Sequence, residues 1–99
     1  MARGKVERRL TAILAADVAG YSGLIASDEE GTLARFSEHV SELIAPQIEA
    51  RLGRIIKTMG DGLLAAFPSV VEALNAAIAI QRGMAERNAR APDGEQISF

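Results

Sequence analysis

The run Ile56-Lys57-Thr58-Met59-Gly60-Asp61-Gly62 constrains the fold more than any other stretch of this chain. It reads as a strand, a tight turn with an acid at its tip, and a second strand returning through Leu63-Leu64-Ala65-Ala66-Phe67. An Asp between two glycines suits a hairpin turn that takes positive φ. An earlier apolar run, Thr11-Ala12-Ile13-Leu14-Ala15-Ala16, ends at Asp17 and passes into Val18-Ala19-Gly20-Tyr21-Ser22. Its length and content read as a buried strand. If that strand lies beside the hairpin, Asp17 and Asp61 meet. Two carboxylates so placed are hard oxygen ligands of the kind that hold Mg²⁺ against phosphates.

Between the two acids the pattern changes period. Ser27-Asp28-Glu29-Glu30 reads as a capping box with Ser27 as N-cap. Leu33, Phe36, Val40, Leu43, Ile44, Ile48 and Leu52 then recur at helical spacing. Pro46 interrupts that helix and is expected to kink it, and Gly53 closes it as the C′ residue. After the hairpin, Pro68 breaks the strand and Ser69-Val70-Val71-Glu72 forms another capping box. Leu74, Ala77, Ile78, Gln81, Met84 and Ala85 predict a second amphipathic helix to about Asn88. Ala91-Pro92-Asp93-Gly94 is a turn, and Ile97-Ser98-Phe99 alternates like the start of a further strand. The order is βαββαβ, an α+β arrangement with helices on one face of a mostly antiparallel sheet.

With 99 residues the chain is one domain or part of one. Residues 1–9 read as a polar, basic leader and residues 10–99 as the domain. The leader's basic residues and the apolar run at 10–16 mimic a short secretory signal, but Asp17 interrupts it and no clean cleavage site follows. No stretch reaches the ~20 apolar residues of a membrane span. A net charge of −2 without a dense basic block gives nucleic acid little to grip. The absence of cysteine excludes disulfides and thiolate chemistry and fits a cytoplasmic setting. His39 has no second histidine to form a zinc site and reads as a surface or partly buried helix residue. Tyr21 and Phe67 read as packing residues, with Tyr21 inside the loop after Asp17.

Ala15-Ala16-Asp17-Val18-Ala19-Gly20-Tyr21-Ser22 and Ile55-Ile56-Lys57-Thr58-Met59-Gly60-Asp61-Gly62-Leu63-Leu64, in that order with a helical spacer, resemble class III nucleotidyl cyclases. The likeness runs from about Arg9 to about Asn88 and covers about half of a cyclase homology domain. It implies a ferredoxin-like core, truncated before the C-terminal strands. It also implies conversion of ATP to 3′,5′-cyclic AMP and pyrophosphate with two Mg²⁺ or Mn²⁺ ions. Asp17 and Asp61 match the family's metal-bridging aspartates, and Val18 the position that lends a backbone carbonyl. The amides of Ala19, Gly20, Tyr21 and Ser22 match its phosphate-facing turn. Lys57 matches the adenine-contacting lysine, which implies ATP rather than GTP. Sites shared across a homodimer follow from the resemblance as well.

The family's transition-state Asn and Arg fall beyond Phe99, so these residues alone are not expected to turn over nucleotide. Asn88 and Arg90 lie in the wrong segment to replace them. Other readings are a cyclase-homology domain that binds nucleotide for regulation, and a βαββαβ interaction module whose Gly-Asp-Gly is only a turn. A diguanylate cyclase lacks support, because its hairpin signature is absent from Met59-Gly60-Asp61-Gly62-Leu63.

Overall fold

The computed structural model describes residues 11–99; the basic leader, read as residues 1–9, lies outside them. Strand β1 (Ala12–Asp17) leads into α1 (Tyr21–Ser27) and α2 (Glu29–His39). A π-helical turn (Val40–Ile44) joins α2 to α3 (Ala45–Ala50). The hairpin β2 (Arg54–Met59) and β3 (Gly62–Phe67) follows, then α4 (Val70–Arg90). The sheet order is β1-β3-β2 with both pairings antiparallel. The crossover from β1 to β2 therefore skips one strand position, which β3 fills, as a split βαβ arrangement requires.

Among the described residues β1 lies at an edge of the sheet and is half-exposed, not the buried strand its composition suggests. Residues along it alternate between half-buried and exposed, and Ile13 is 56% exposed. Ala12, Leu14 and Ala16 pack on the core while Ile13, Ala15 and Asp17 line the open face. β3, the central strand, carries the burial: Leu63, Ala65 and Phe67 sit under the helices. Ile44, Ile48, Ala76, Ile80 and Met84 complete the core from above.

Local chemistry explains the helix boundaries. α1 claims Ser27 as its last residue, so the cap of α2 falls on Asp28, whose carboxylate accepts from the Gly31 amide at 3.0 Å. Pro46 has no N–H to return to the carbonyl four residues back. The helix absorbs this just before the proline, where Ala45 N–H reaches the Val40 carbonyl in a π-type bond. At the far end Gly53 N–H donates to the Ile48 carbonyl and Leu52 N–H to that of Glu49. This is a Schellman motif in which Leu52, at φ 65°, takes the left-handed position expected of Gly53. Gly53 is glycine for another reason: a Cβ there would run into the Phe67 ring.

α4 is capped as expected, with the Ser69 hydroxyl accepting from the Glu72 amide at 3.2 Å. Its core face differs from the one read from the sequence. Ala73, Ala76, Ile80 and Met84 are buried, whereas Leu74 and Ile78 are exposed and Ala85 and Gln81 face solvent. Small alanines let α4 approach the sheet closely, and the larger residues fall round the helix. On α2, Leu33 at 40% exposure is likewise outside the core.

Candidate functional site

Asp17 closes β1, and its cross-strand partner is Gly62. Asp61 occupies the turn with Gly60, between the paired residues Met59 and Gly62. Val18 N–H donates to the Asp61 carbonyl at 2.7 Å, so the two acids stand on adjoining backbones joined by a hydrogen bond. Both side chains are exposed. The sequence-based expectation that they come together holds.

The turn achieves this without positive φ. Among the described residues only Gly20, Leu52 and Gly94 have it, so positive φ is not what the flanking glycines supply. Their role is space. A Cβ on Gly62 would strike the Ala16 carbonyl and lie 2.6 Å from the Asp17 carboxylate oxygen. The Asp17 side chain thus occupies the room that a larger residue at 62 would fill. Gly60 is less confined, with only the Tyr21 hydroxyl near, at 3.2 Å from such a Cβ.

Gly20, at φ 65°, turns the chain from β1 into α1. No side chain caps the N-terminus of that helix, leaving the amides of its first turn open for other acceptors. Ala19 departs from its expected part: its N–H is committed to the Ser98 carbonyl at 2.7 Å and does not face a ligand. Of the four amides expected to face phosphate, only that of Ala19 is tied to a distant backbone carbonyl among the described residues. The Tyr21 ring packs against the core cluster.

Lys57 sits across from Leu64, which pairs on its other side with Ala15. Leu64 and Gly62 lie two apart on β3, so Lys57 and Asp17 share the open face of the sheet. A bulge between Ile55 and Lys57 sets this register, and even spacing alone would not have revealed it.

Asn88 has a part that sequence reasoning missed. Its side-chain amide donates to the Ile97 carbonyl at 2.7 Å and its oxygen accepts from the Ile97 amide at 3.0 Å. It thereby imitates a strand edge and fixes Ile97–Phe99, which hydrogen-bonds to Ala19 through Ser98 although it forms no regular strand. An amide residue at a helix end, before a turn and an alternating segment, was the available signal.

No three His, Cys, Asp or Glu side chains converge as a metal cluster among the described residues. Two exposed carboxylates on adjoining backbones, beside backbone carbonyls, nevertheless form a hard-oxygen set, fit for a divalent ion that draws its other ligands from water or phosphate. Among the described helices none is long and apolar enough to cross a membrane.

No family profile matches the chain. A protein of Rhizobium meliloti (strain 1021) named "Putative adenylate cyclase 3" is 40% identical over 97 residues, which are 98% of this chain and 16% of that protein. The crystal structure of an adenylate/guanylate cyclase/hydrolase from Silicibacter pomeroyi superposes with a TM-score of 0.80 at 47% identity. That match covers 92% of this chain and 53% of the solved one, so the chain spans about half of the solved relative.

Proposed function

We infer that this chain, a member of the class III nucleotidyl cyclases, is the N-terminal half of an adenylate/guanylate cyclase homology domain and supplies the metal-binding half of an adenylate cyclase site. The reaction is attack of the ribose 3′-hydroxyl of ATP on the α-phosphate, expelling pyrophosphate and closing 3′,5′-cyclic AMP. The observation that carries this reading is the bond from Val18 N–H to the Asp61 carbonyl, which sets the two acids side by side.

Asp17 and Asp61, with the Val18 carbonyl, would hold two divalent ions, Mg²⁺ or Mn²⁺. Bound there, such ions neutralise the triphosphate and favour ionisation of the attacking hydroxyl. The chain's own contributions are positional. Gly62 leaves the Asp17 carboxylate its room, Tyr21 abuts the hairpin tip, and the open first turn of α1 directs amides of Gly20, Tyr21 and Ser22 toward phosphate oxygens.

Lys57, on the open sheet face, would contact the adenine of a nucleotide held by a second protomer. A homodimer with shared sites follows, in which groups that steady the transition state come from sequence beyond Phe99. A cytoplasmic protein in cyclic-nucleotide signalling is the setting this reading implies.

The experiment is a cyclase assay on the natural longer protein with ATP and GTP separately, in Mn²⁺, beside Asp61→Ala. Cyclic AMP from the parent and none from the variant is the expected result. A folded dimer that binds ATP and yields no cyclic nucleotide would overturn catalysis and favour a regulatory nucleotide-binding domain.

A further inference from the structure

A second polar cleft, of about 440 Å³, lies between α2, α4 and the loop after α4, and shares no residue with the two-aspartate site. Arg35, His39, Arg87 and Arg90 line it together with Glu38 and Glu95. Its cations are poorly matched to the acids around them. Arg35 stands 3.7 Å from Asp28 and 3.8 Å from Glu95, too far for hydrogen bonds, while its side chain is only 19% exposed. Its Nε is buried with no partner, and so is Nδ1 of His39 one turn along the same helix. Arg90 forms no ion pair among the described residues, whereas Arg87 is paired with Glu42. A buried donor without an acceptor is costly and rare in folded proteins. Nε of Arg35 is such a donor, and Nδ1 of His39, which donates in one tautomer of the ring, also lacks a partner; both residues line one cleft with an arginine that has no ion pair among the described residues, which marks a place for an acceptor.

We propose that this cleft binds a phosphate-class oxyanion, either free phosphate or the phosphoryl group of a small metabolite, through Arg35, His39 and Arg90. An oxyanion offers several acceptor oxygens, and the planar arginine fork matches their geometry. Glu95 is the internal competitor, resting near Arg35 at a distance that an incoming anion could take over. The site also has a route to the first one. Three residues beyond Glu95, Ser98 holds the Ala19 amide through its carbonyl, two positions from Asp17. Displacing Glu95 therefore bears on the segment that braces the loop after Asp17.

The test is a titration of the chain with inorganic phosphate at constant ionic strength, balanced with chloride, following Arg35 Nε–H and the His39 ring by NMR. Saturable shifts at millimolar phosphate are expected. Arg90→Gln should weaken the apparent affinity about tenfold, the loss of one charge-assisted contact. Glu95→Gln should strengthen it. Arg90 and Glu95 are both exposed, so neither variant threatens the fold. Opposite signs for the two variants would not arise if Arg87 and Arg90 served only the dipole at the end of α4. Glycerol 3-phosphate is the second arm: tighter binding than phosphate assigns a phosphorylated metabolite, and equal binding assigns the free anion. A linear response, one matched by chloride alone, or identical behaviour of both variants and parent would overturn the proposal.

Discussion

Asp17 and Gly62 face each other across β1 and β3, and the carboxylate of the first fills the space that the second leaves by having no side chain. This pairing ties the position of an exposed acid to the backbone of the central strand. Gly62→Ala should cost about 1–3 kcal/mol in stability, because the added methyl meets the Ala16 carbonyl, which cannot rotate away. Gly60→Ala meets only the end of the Tyr21 side chain and should cost less. Urea unfolding of both variants checks the order; a reversed order would mean the turn, not the Asp17 contact, sets the requirement.

Asp17→Asn and Asp61→Asn separate chemistry from folding. Both side chains are exposed and their neighbourhood is fixed through backbone, so stability should change by no more than about 0.5 kcal/mol. On the proposed cyclase function, activity of a protein that carries the rest of the domain should fall on the order of 10²–10³-fold for each, as when an electrostatic contact to the reacting phosphate is removed. Unchanged Mn²⁺-dependent nucleotide binding in Asp61→Asn would instead return the turn to a purely structural role.

His39 supplies a pH dependence with a definite sign. Burial, followed by the nearby Arg87 charge, holds its pKa below the ordinary 6.5, against the opposing pull of Glu38 and Glu42; Arg35 adds to the lowering. The unfolded chain therefore binds a proton more readily than the folded one as pH drops below 6.5. The contribution is fully present above that value and is lost as pH falls through the folded pKa. Urea midpoints of the parent should decline across this window, and those of His39→Gln should decline less. Parallel curves would show that other groups carry the effect.

Leu52 and Gly53 illustrate what a sequence discloses and what it withholds. A glycine after an apolar helix invites assignment to the left-handed position, and the helix end was legible within one residue. The assignment failed because Phe67, fourteen residues on, needs the space at 53, and that contact is tertiary. The same limit applied to Gly62, whose purpose lies across the sheet, and to α4, where alanines rather than leucines face the core. Element order, hairpin and the meeting of Asp17 with Asp61 were readable because each rests on local period or on strand adjacency. Commitment of the Ala19 amide was not, since its partner is Ser98, at the opposite end of the chain.

The Schellman turn makes its own prediction. Leu52 is 73% exposed and strained at φ 65°, so Leu52→Gly relieves a left-handed conformation while sacrificing little packing. A gain of up to about 1 kcal/mol is expected after the extra unfolded-state freedom of glycine is subtracted. Gly53→Ala should destabilise the protein through the Phe67 ring. Thermal unfolding of the pair distinguishes strain at 52 from crowding at 53.

Asn88 tests whether the returning segment is held by hydrogen bonds or by burial. Asn88→Ala would leave the amide and carbonyl of Ile97 without their side-chain partners, beside an Ile97 side chain that is only 1% exposed. Unpaired backbone groups of this kind cost about 1–3 kcal/mol. If the clamp governs the segment, hydrogen exchange should speed up at the Ile97 amide and at the Ala19 amide that depends on Ser98, while β3 stays protected. Asn88→Asp keeps the acceptor for Ile97 N–H and loses the donor to its carbonyl, so an intermediate rate is expected. Protection of Ala19 that survives Asn88→Ala would show that burial of Ile97 suffices, and that the loop after Asp17 is braced by the core rather than by the end of α4.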